Sequence, residues 1–390
     1  MSLKILRQEE LGERICIVVG TRPSIVKQSP IIRELQRREL DFFVLHTGQH
    51  YSPELDSVFF RDLRLPEPKR RLVGIKEHKL HGAQTAEMLR QTEQVLIEEK
   101  PRVVLVGGDA NSNLAAALAG RKLNLIVAHD ESGVRGFQWN VPEEHNRVIM
   151  DHISDYLFAP SESARLQLER EAVRGTIVVT GSTAVDAVQE NFDLAIERSR
   201  ILDDLQLAAG SYAVMTTHHE ENVDYVEELT AVIEGVEAVT AEHSLRIVFP
   251  VHPRTSDRLR RFDLHDRLAA NPLITLTDPL GYLDFLALVG NAKLVISDSG
   301  GLIQESAIHG VPCLTVGKFT EWTEVVEAGA NIVSHNDPET MASGARTLLR
   351  RKGELVSPFV PGASRAIVDI LASLVGGREP RADAHPVSDL

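Results

Sequence analysis

A short turn after an apolar run carries the residue types that bind anions. The run Lys293–Ile296 stops at a Ser-Asp-Ser-Gly-Gly turn, and a helix-compatible segment follows it. Backbone N–H groups of Ser299, Gly300 and Gly301 can point at an anion, beside the positive end of the following helix. Glycine also lets a phosphate approach without a clash against Cβ. The turn therefore favours a phosphate site, with a tight strand-to-helix connection as the alternative.

Four further side chains could extend such a site to a nucleotide. Glu305 lies about one turn into the following helix, where its carboxylate can accept hydrogen bonds from two ribose hydroxyls. Phe285, in YLDFLALVG, offers a flat face to a base. Arg22 and Lys27 bracket a second helix start in GTRPSIVK, and two cations at a helix N-terminus suit a pyrophosphate. A solvated surface pair is the alternative for these two cations.

Acidic side chains gather in the first half of the chain. Asp109 and Glu131 each end an apolar run, and Glu143 and Glu144 follow Pro142. Carboxylates that share one cleft can have their pKa values pushed apart and serve as acid and base. The pair after Pro142 also fits the ordinary role of acids in the first turn of a helix.

The histidines and glycines argue against several other chemistries. His218 and His219 end one apolar run in THHEEN, and His252 ends another in PVHPR. HHEE has none of the strong zinc spacings, so we expect no metal. The chain contains no G-x-S-x-G elbow and no G-x-G-x-x-G fingerprint, which disfavours a serine hydrolase and a nicotinamide enzyme. We therefore expect no cofactor.

The elements that must position these residues are strands alternating with amphipathic helices. Apolar runs between helices indicate parallel sheets covered on both faces. Such runs occur at 15–20, 42–48, 102–109, 123–130, 156–161 and 176–182, and again at 212–218, 246–252, 273–278, 293–300 and 313–317. The polar clusters lie where these runs end, which is where doubly wound sheets bind ligands. The sequence thus predicts an α/β protein of two doubly wound Rossmann-like domains that face a cleft.

The strand-poor, charged stretch between the two sets of runs suggests the domain boundaries. We predict an N-terminal domain over 1–182 that carries the acids, and a helical linker over 183–210. A second domain over 211–362 would bind the nucleotide. The remaining segment, 363–390, would form a helix that packs back on the first domain, followed by a frayed polar tail.

Length, charge and cysteine content limit the classes of function. A chain of 390 residues favours two domains, and a formal net charge of −14 disfavours a nucleic-acid partner. No apolar run is long enough to span a membrane, and no signal-peptide pattern begins the chain. Cys16 and Cys313 each lie in an apolar run, so we expect two small core residues and no disulfide. These features predict a cytoplasmic enzyme without a membrane partner.

Taken together, the motifs resemble the non-hydrolysing UDP-N-acetylglucosamine 2-epimerases. The resemblance runs from about residue 14 to residue 375. It is carried by GTRP at 20–23, HTGQHY at 46–51, GGD at 107–109, PEE with NR at 142–147, EN at 221–222, PVHPR at 250–254 and DSGG at 298–301. Four further segments, HGAQTAEML, DPLGYLDFL, TEWTEVVEAG and the short stretch between Arg135 and Pro142, are similar to the branch that acts on UDP-2,3-diacetamido sugar uronates.

This resemblance implies a glycosyltransferase-B-like fold and inversion at the second carbon of a UDP-sugar without a redox cofactor. The proposed route removes the proton at that carbon and expels UDP to give a glycal, and UDP then adds back after protonation of the opposite face. By position, Asp109, Glu131, Glu143 and His218 match the catalytic residues. The matched UDP-binding residues are Arg22, Lys27, Phe285, Ser299, Gly300, Gly301 and Glu305. Gln49, His50 and His252 are further candidates for substrate contact, and we expect a homodimer.

Five departures from the family pattern bear on the substrate. His219 and Gly317 stand where the family usually has arginine, Ala110 replaces the threonine of GDT, and Ser24 replaces an acid. The family's HVEAG becomes HDESG at 129–133. The loss of two cations leaves open a hydrolysing epimerase, an epimerase of UDP-2,3-diacetamido sugar uronates, a glycosyltransferase and a UDP-sugar-binding protein.

Overall fold

A computed structural model describes residues 6–49, 59–351 and 355–377. The chain divides into two compact units. The first unit comprises the chain up to Ala187 together with the segment from Phe359 onward, and the second is the continuous segment Val188–Pro358. The division at Ala187 falls inside the helix Thr183–Arg198.

The first unit contains a seven-stranded sheet in which every pairing is parallel. Its strands are β1 (Ile15–Val19), β2 (Phe42–His46), β3 (Arg70–Arg71), β4 (Val103–Gly107), β5 (Ile126–Asp130), β6 (Tyr156–Ala159) and β7 (Thr176–Val179), in the order β3-β2-β1-β4-β5-β6-β7. All residues of β1 and β4 are buried, because helices cover both faces of such a sheet. The two-residue edge strand β3 carries two arginines and no apolar run, so the sequence did not predict it.

The second unit repeats this architecture with six parallel strands. They are β8 (Tyr212–Thr216), β9 (Arg246–Pro250), β10 (Ile274–Thr277), β11 (Leu294–Ser297), β12 (Cys313–Thr315) and β13 (Asn331–Val333), in the order β10-β9-β8-β11-β12-β13. The prediction of two doubly wound Rossmann-like domains is confirmed. Only the short edge strand β13 was missed in this unit.

Helices connect the strands. The first unit contains Arg22–Arg37, His81–Glu99, Asn111–Lys122, Pro142–Ile153, Glu162–Arg170 and Ala363–Val375, with 3₁₀ turns at Gln8–Glu10 and Ile75–Glu77. The second contains Ile201–Asp204, Glu220–Val223, Val226–His243, Pro253–Arg261, His265–Ala269, Tyr282–Gly290, Gly300–Ile308, Thr323–Glu327 and Pro338–Arg350. Across the described part of the chain, no helix is both long enough and apolar enough to cross a membrane. Cys16 and Cys313 are free and buried, as expected.

In both sheets the strand order reverses once near the middle, between β1 and β4 and between β8 and β11. Loops diverge from the sheet at such a switch point, so a ligand crevice opens beyond the carboxyl ends of these strands. GTRPS follows β1 and GGDANSN follows β4, while THHEEN follows β8 and SDSGG follows β11. The topology therefore places the two motifs of each unit next to each other, at the carboxyl ends of neighbouring central strands.

Candidate active site

Glu131 lies at the end of β5 and forms a close ion pair with Lys27 of the helix Arg22–Arg37. The Lys27 Nζ atom lies 2.6 Å from Glu131 Oε1 and 2.8 Å from Oε2. The Glu131 backbone has a φ of 68°, a left-handed conformation that costs a residue with a side chain about 1–3 kcal/mol. In this structure the ammonium group of Lys27 pairs with the Glu131 carboxylate, and its expected role at the nucleotide stays a prediction.

Asp109, two residues beyond β4, is held by the Asn-Arg pair of PEEHNR. Arg147 Nη1 lies 2.5 Å from Asp109 Oδ2, and Asn146 Nδ2 donates to the Asp109 carbonyl at 2.8 Å. The same guanidinium donates through Nη2 to Glu144 at 2.7 Å. Glu144 is buried and Glu143 is exposed, so the two adjacent acids of the motif differ in environment. Sequence reasoning did not assign Asn146 or Arg147 to the site.

A buried polar network lies beneath these two acids. Asp130 accepts hydrogen bonds from Gln28 at 3.0 Å and Thr183 at 2.9 Å. Burial, followed by the neighbouring charge of Glu131, raises the pKa of Asp130 to about 6. His129 contacts Asp151 Oδ1 through Nδ1 at 2.7 Å and the Gly108 carbonyl through Nε2 at 3.1 Å. The network thus links the β4 and β5 ends that carry Asp109 and Glu131.

The remaining described candidates of the first unit lie at, or contact, helix starts. Gln49 Oε1 accepts from the Ser112 N–H at 2.9 Å and so caps the helix Asn111–Lys122. Arg22 is exposed at the start of its helix, with its guanidinium carbon 5.9 Å from the centre of the Phe59 ring. Ser24 Oγ accepts from the N–H groups of Gly20 and Thr21 at 3.1 Å each. The Ser24 hydroxyl thus accepts hydrogen bonds from backbone N–H groups at the helix start, at a position where the family has an acid. His50 lies outside the described residues.

In the second unit, His218 and Asp298 meet across the β8–β11 switch point. Asp298 Oδ2 accepts from the hydroxyl of Thr217 at 2.7 Å and from the N–H groups of His218 and His219 at 2.9 and 3.0 Å. Asn222 Nδ2 donates to the same oxygen at 3.1 Å. Burial favours the neutral form of Asp298, but the His218 side chain and the charges of His219 and His218 outweigh it and hold the pKa of Asp298 well below its usual range. This aspartate lies within the SDSGG motif, but no sequence pattern indicated its role.

Two further histidines, His219 and His252, lie next to His218. The His218 ring lies 4.8 Å from the His219 ring and 5.2 Å from the His252 ring, centre to centre. Burial, followed by the charge of His218, lowers the pKa of His252. Gly317 has a φ of 111°, a conformation that would strain the arginine expected there.

The glycine turn follows β11 and begins the helix Gly300–Ile308. The Ser299 N–H donates to Ser297 Oγ at 2.9 Å. A Cβ on Gly300 would lie 1.7 Å from Glu321 Oε1, so the glutamate carboxylate approaches the helix N-terminus where only glycine fits. Gly301 is exposed and a Cβ there would meet nothing closer than Ser299 Oγ, at 4.0 Å. Glu305 and Phe285 are both half-buried, on this helix and on Tyr282–Gly290.

The two parallel-sheet α/β units define a class of fold, that of the glycosyltransferase-B-like proteins. A spinosyn rhamnosyltransferase that is 17% identical shares this fold, with a TM-score of 0.50 over 95% of this chain and 98% of that one. The family model described as UDP-N-acetylglucosamine 2-epimerase matches residues 33–372. The chain belongs to the UDP-N-acetylglucosamine 2-epimerase family.

Individual relatives agree with this assignment. A UDP-N-acetylglucosamine 2-epimerase of Methanocaldococcus jannaschii is 44% identical over 363 residues, which cover 92% of this chain and 98% of the relative. A crystal structure from that organism, with UDP-GlcNAc and UDP bound, has a TM-score of 0.84 and 43% identity over 92% of this chain and 99% of that one. A UDP-2,3-diacetamido-2,3-dideoxy-D-glucuronate 2-epimerase of Pseudomonas aeruginosa is 33% identical over 93% of this chain and 100% of the relative.

Proposed function

We propose that this protein inverts the second sugar carbon of UDP-N-acetylglucosamine by eliminating UDP and adding it back. The observation that carries the proposal is the pair of acids at the neighbouring ends of β4 and β5. Asp109 is held by Arg147 and Glu131 by Lys27, in a chain that belongs to this epimerase family.

The reaction needs two proton transfers and no change in oxidation state. A carboxylate takes the proton from the second carbon, and the bond from the first carbon to the diphosphate oxygen breaks with its electron pair leaving on UDP. An acid then gives a proton to the opposite face of the glycal, and the UDP oxygen bonds to the first carbon again. Asp109, Glu131, Glu143 and His218 are our proposed groups for these transfers and for stabilising the intermediate.

Epimerisation also requires that UDP stays bound while it is detached from the sugar. We assign this task to the glycine turn Ser299–Gly301, to Glu305 for the ribose hydroxyls and to Phe285 for the base. The N-terminus of the helix Gly300–Ile308 favours an anion at this turn. Arg22 and Lys27 are the cations of the first unit that we expect near the diphosphate.

Proton NMR in deuterated water tests this function with a panel of UDP-sugars. We expect deuterium at the second carbon of both epimers while UDP remains attached to the sugar. Free UDP and free sugar in equal amounts would instead identify a hydrolysing enzyme. Turnover that requires an acceptor and retains the protium at the second carbon would identify a transferase.

A second candidate substrate is a UDP-2,3-diacetamido sugar uronate, which the 33% identical relative supports. HGAQTAEML begins the helix His81–Glu99, and His81 Nδ1 lies 3.1 Å from Asn111 Nδ2. Asn111 in turn accepts from Asn146 at 3.0 Å, beside Asp109. Including this sugar in the NMR panel decides between the two substrates, because deuterium is incorporated only into a UDP-sugar that is turned over.

A further inference from the structure

Three potential metal ligands converge in the second unit, at the switch point of its sheet. One ligand atom from each of His218, His219 and Asp298 lies within 4.8 Å of the other two. Among the described residues, this is the only set of three His, Cys, Asp or Glu side chains that converges in this way. The sequence could not reveal the set, because Asp298 is 80 residues from His218 and follows a different strand.

One distance between ligand atoms in this set already equals the separation of two ligands in a metal site. His218 Nδ1 lies 3.3 Å from Asp298 Oδ1. That distance is long for a hydrogen bond between charged groups, which is usually about 2.7–2.9 Å. Two ligands at about 2.0–2.1 Å from a tetrahedral Zn²⁺ are separated by about 3.3 Å. The third ligand can close the remaining gap by side-chain rotation, since both imidazoles are only half-buried.

The surrounding hydrogen bonds hold the carboxylate in place for such a role. Oδ2 of Asp298 receives its four donors from Thr217, His218, His219 and Asn222. Oδ1 accepts a hydrogen bond from the His218 N–H at 3.2 Å and lies 3.3 Å from Nδ1 of the same residue. Oδ2 therefore anchors the side chain, and Oδ1 lies beside Nδ1 of His218.

His219 distinguishes this chain from the pattern of its family. An arginine at this position, which the family usually has, would repel a cation and offers no lone pair. An imidazole instead supplies a ligand atom that suits divalent transition metals. His252, whose ring centre lies 5.2 Å from that of His218, adds a further imidazole beside the set.

We propose that His218, His219 and Asp298 bind a divalent transition cation such as Zn²⁺, with water completing its coordination. The bound ion occupies the His218 ring nitrogen and so inhibits turnover. Cation binding is independent of the function proposed above, whereas the inhibition rests on that function because it requires His218 in the reaction.

The experiment uses the full-length protein after treatment with a chelator. Zn²⁺ binding is measured by calorimetry, and Co²⁺ serves as a visible probe of nitrogen and oxygen ligation. The variants are His219→Asn, which removes one ligand, and His219→Arg, which installs the cation common in the family. His265→Asn is the matched control, because it removes a surface imidazole whose Nδ1 lies 3.2 Å from Asp266 Oδ1. Melting curves establish that each variant is folded.

We expect one Zn²⁺ per chain in the wild type and in His265→Asn, and at least ~10-fold weaker binding in both His219 variants. The visible Co²⁺ bands should follow the same pattern. Equal binding by the His219 variants would place the ion elsewhere and overturn the proposal. Failure of the wild type to bind Zn²⁺ at millimolar concentration would also overturn it.

Activity measurements separate this proposal from the proposed function. Zn²⁺ should stop turnover of the wild type at concentrations that fill the site. If protein with Zn²⁺ in the site still turned over substrate, the cation site would stand, but the proposed inhibition and the role of His218 in proton transfer would be wrong. Protein that acts on no UDP-sugar when it is metal-free, but gives the Co²⁺ spectrum once Co²⁺ is added, would keep the site and reject the epimerase.

Discussion

Asp109 and Glu131, which follow β4 and β5, each have a cationic partner. We expect substitutions of these acids to affect proton transfer and UDP binding to different degrees. Arg147 holds Asp109 and Lys27 holds Glu131, both at ion-pair distance. The assigned UDP turn, Ser299–Gly301, lies in the other unit. Neutral substitutions of the acids should therefore affect proton transfer far more than UDP binding.

The variants Asp109→Asn and Glu131→Gln test this separation. Turnover should fall by at least ~10²-fold, the usual contribution of one acid–base group, because amides cannot accept the proton. UDP affinity, measured by calorimetry, should change little. Glu98→Gln is the control, since it neutralises an exposed carboxylate paired with Arg70 at 3.2 Å. Wild-type turnover in the folded Asp109 and Glu131 variants would reject the mechanism. If activity and melting temperature fell in parallel, the two carboxylates would instead have a structural role as caps of the backbone.

The buried carboxyl group of Asp130 should make stability depend on pH. Its pKa is about 6 in the folded protein, raised first by burial and then by Glu131, against about 3.9 in an unfolded chain. The folded state retains the proton between these values, so the contribution of Asp130 to the free energy of unfolding decreases as pH rises from about 4 to about 6. Replacement by a group that does not ionise should remove this decrease.

Urea unfolding of wild type and Asp130→Asn across this pH range measures the effect. Relative to wild type, the variant should gain about 3 kcal/mol between pH 4 and pH 7, the equivalent of about two pKa units. Titrating groups that do not interact with Asp130 cancel in the difference between the two proteins. A difference that stays constant with pH would contradict the raised pKa.

At the scale of elements, two helix starts of the second unit depend on the strands that precede them. β8 and β11 are neighbours, so the THH and SDSGG loops leave the sheet side by side and Asp298 can cap the backbone of both histidines. The helix Gly300–Ile308 then begins at the same edge. Its two glycines have different surroundings, because Gly300 lies against Glu321 and Gly301 faces open space.

This contrast makes Gly301→Ala a test of the phosphate turn. The added methyl group should leave the free energy of unfolding unchanged, or raise it by up to about 1 kcal/mol through helix propensity. UDP binding should weaken by about 1–3 kcal/mol because the methyl group crowds the phosphate. Gly82→Ala is the matched control, since Gly82 also lies exposed in the first turn of a helix with nothing within 4 Å. Equal UDP affinity in wild type and Gly301→Ala by calorimetry would remove this assignment.

At the scale of the whole molecule, the first unit is built from two separate parts of the chain. The C-terminal helix Ala363–Val375 buries Ile367, Leu371 and Leu374 and packs against the helix Arg22–Arg37. Asp186 joins the two parts, accepting from the Gly362 and Ser364 N–H groups at 2.6 and 2.7 Å. The Ser364 hydroxyl donates to it at 2.6 Å.

We therefore expect Asp186→Ala to destabilise the first unit. Loss of a buried cap with three donors should lower the free energy of unfolding by about 2 kcal/mol. Asp193→Ala, an exposed change on the same helix, should cost less than about 0.5 kcal/mol. Urea unfolding followed by circular dichroism gives both values. Equal losses in the two variants would show that the cap contributes little.

The amino-acid sequence alone determined the alternation of apolar runs and helices, the parallel sheets and the glycine turn. These features depend on periodicity and turn chemistry within a few neighbouring residues. The two short edge strands escaped prediction because they lack such a pattern. The motifs also indicated which residue types lie at the strand ends.

Only the tertiary structure decided which of those residues touch. Lys27 meets Glu131 across 104 residues, and Thr217 meets Asp298 across 81. Such contacts follow from strand order, and no local pattern encodes which strands become neighbours. The same ordering buried Asp130 and brought His218 and His219 to Asp298. Local chemistry thus supplied the groups, and the topology of the two sheets determined their partners.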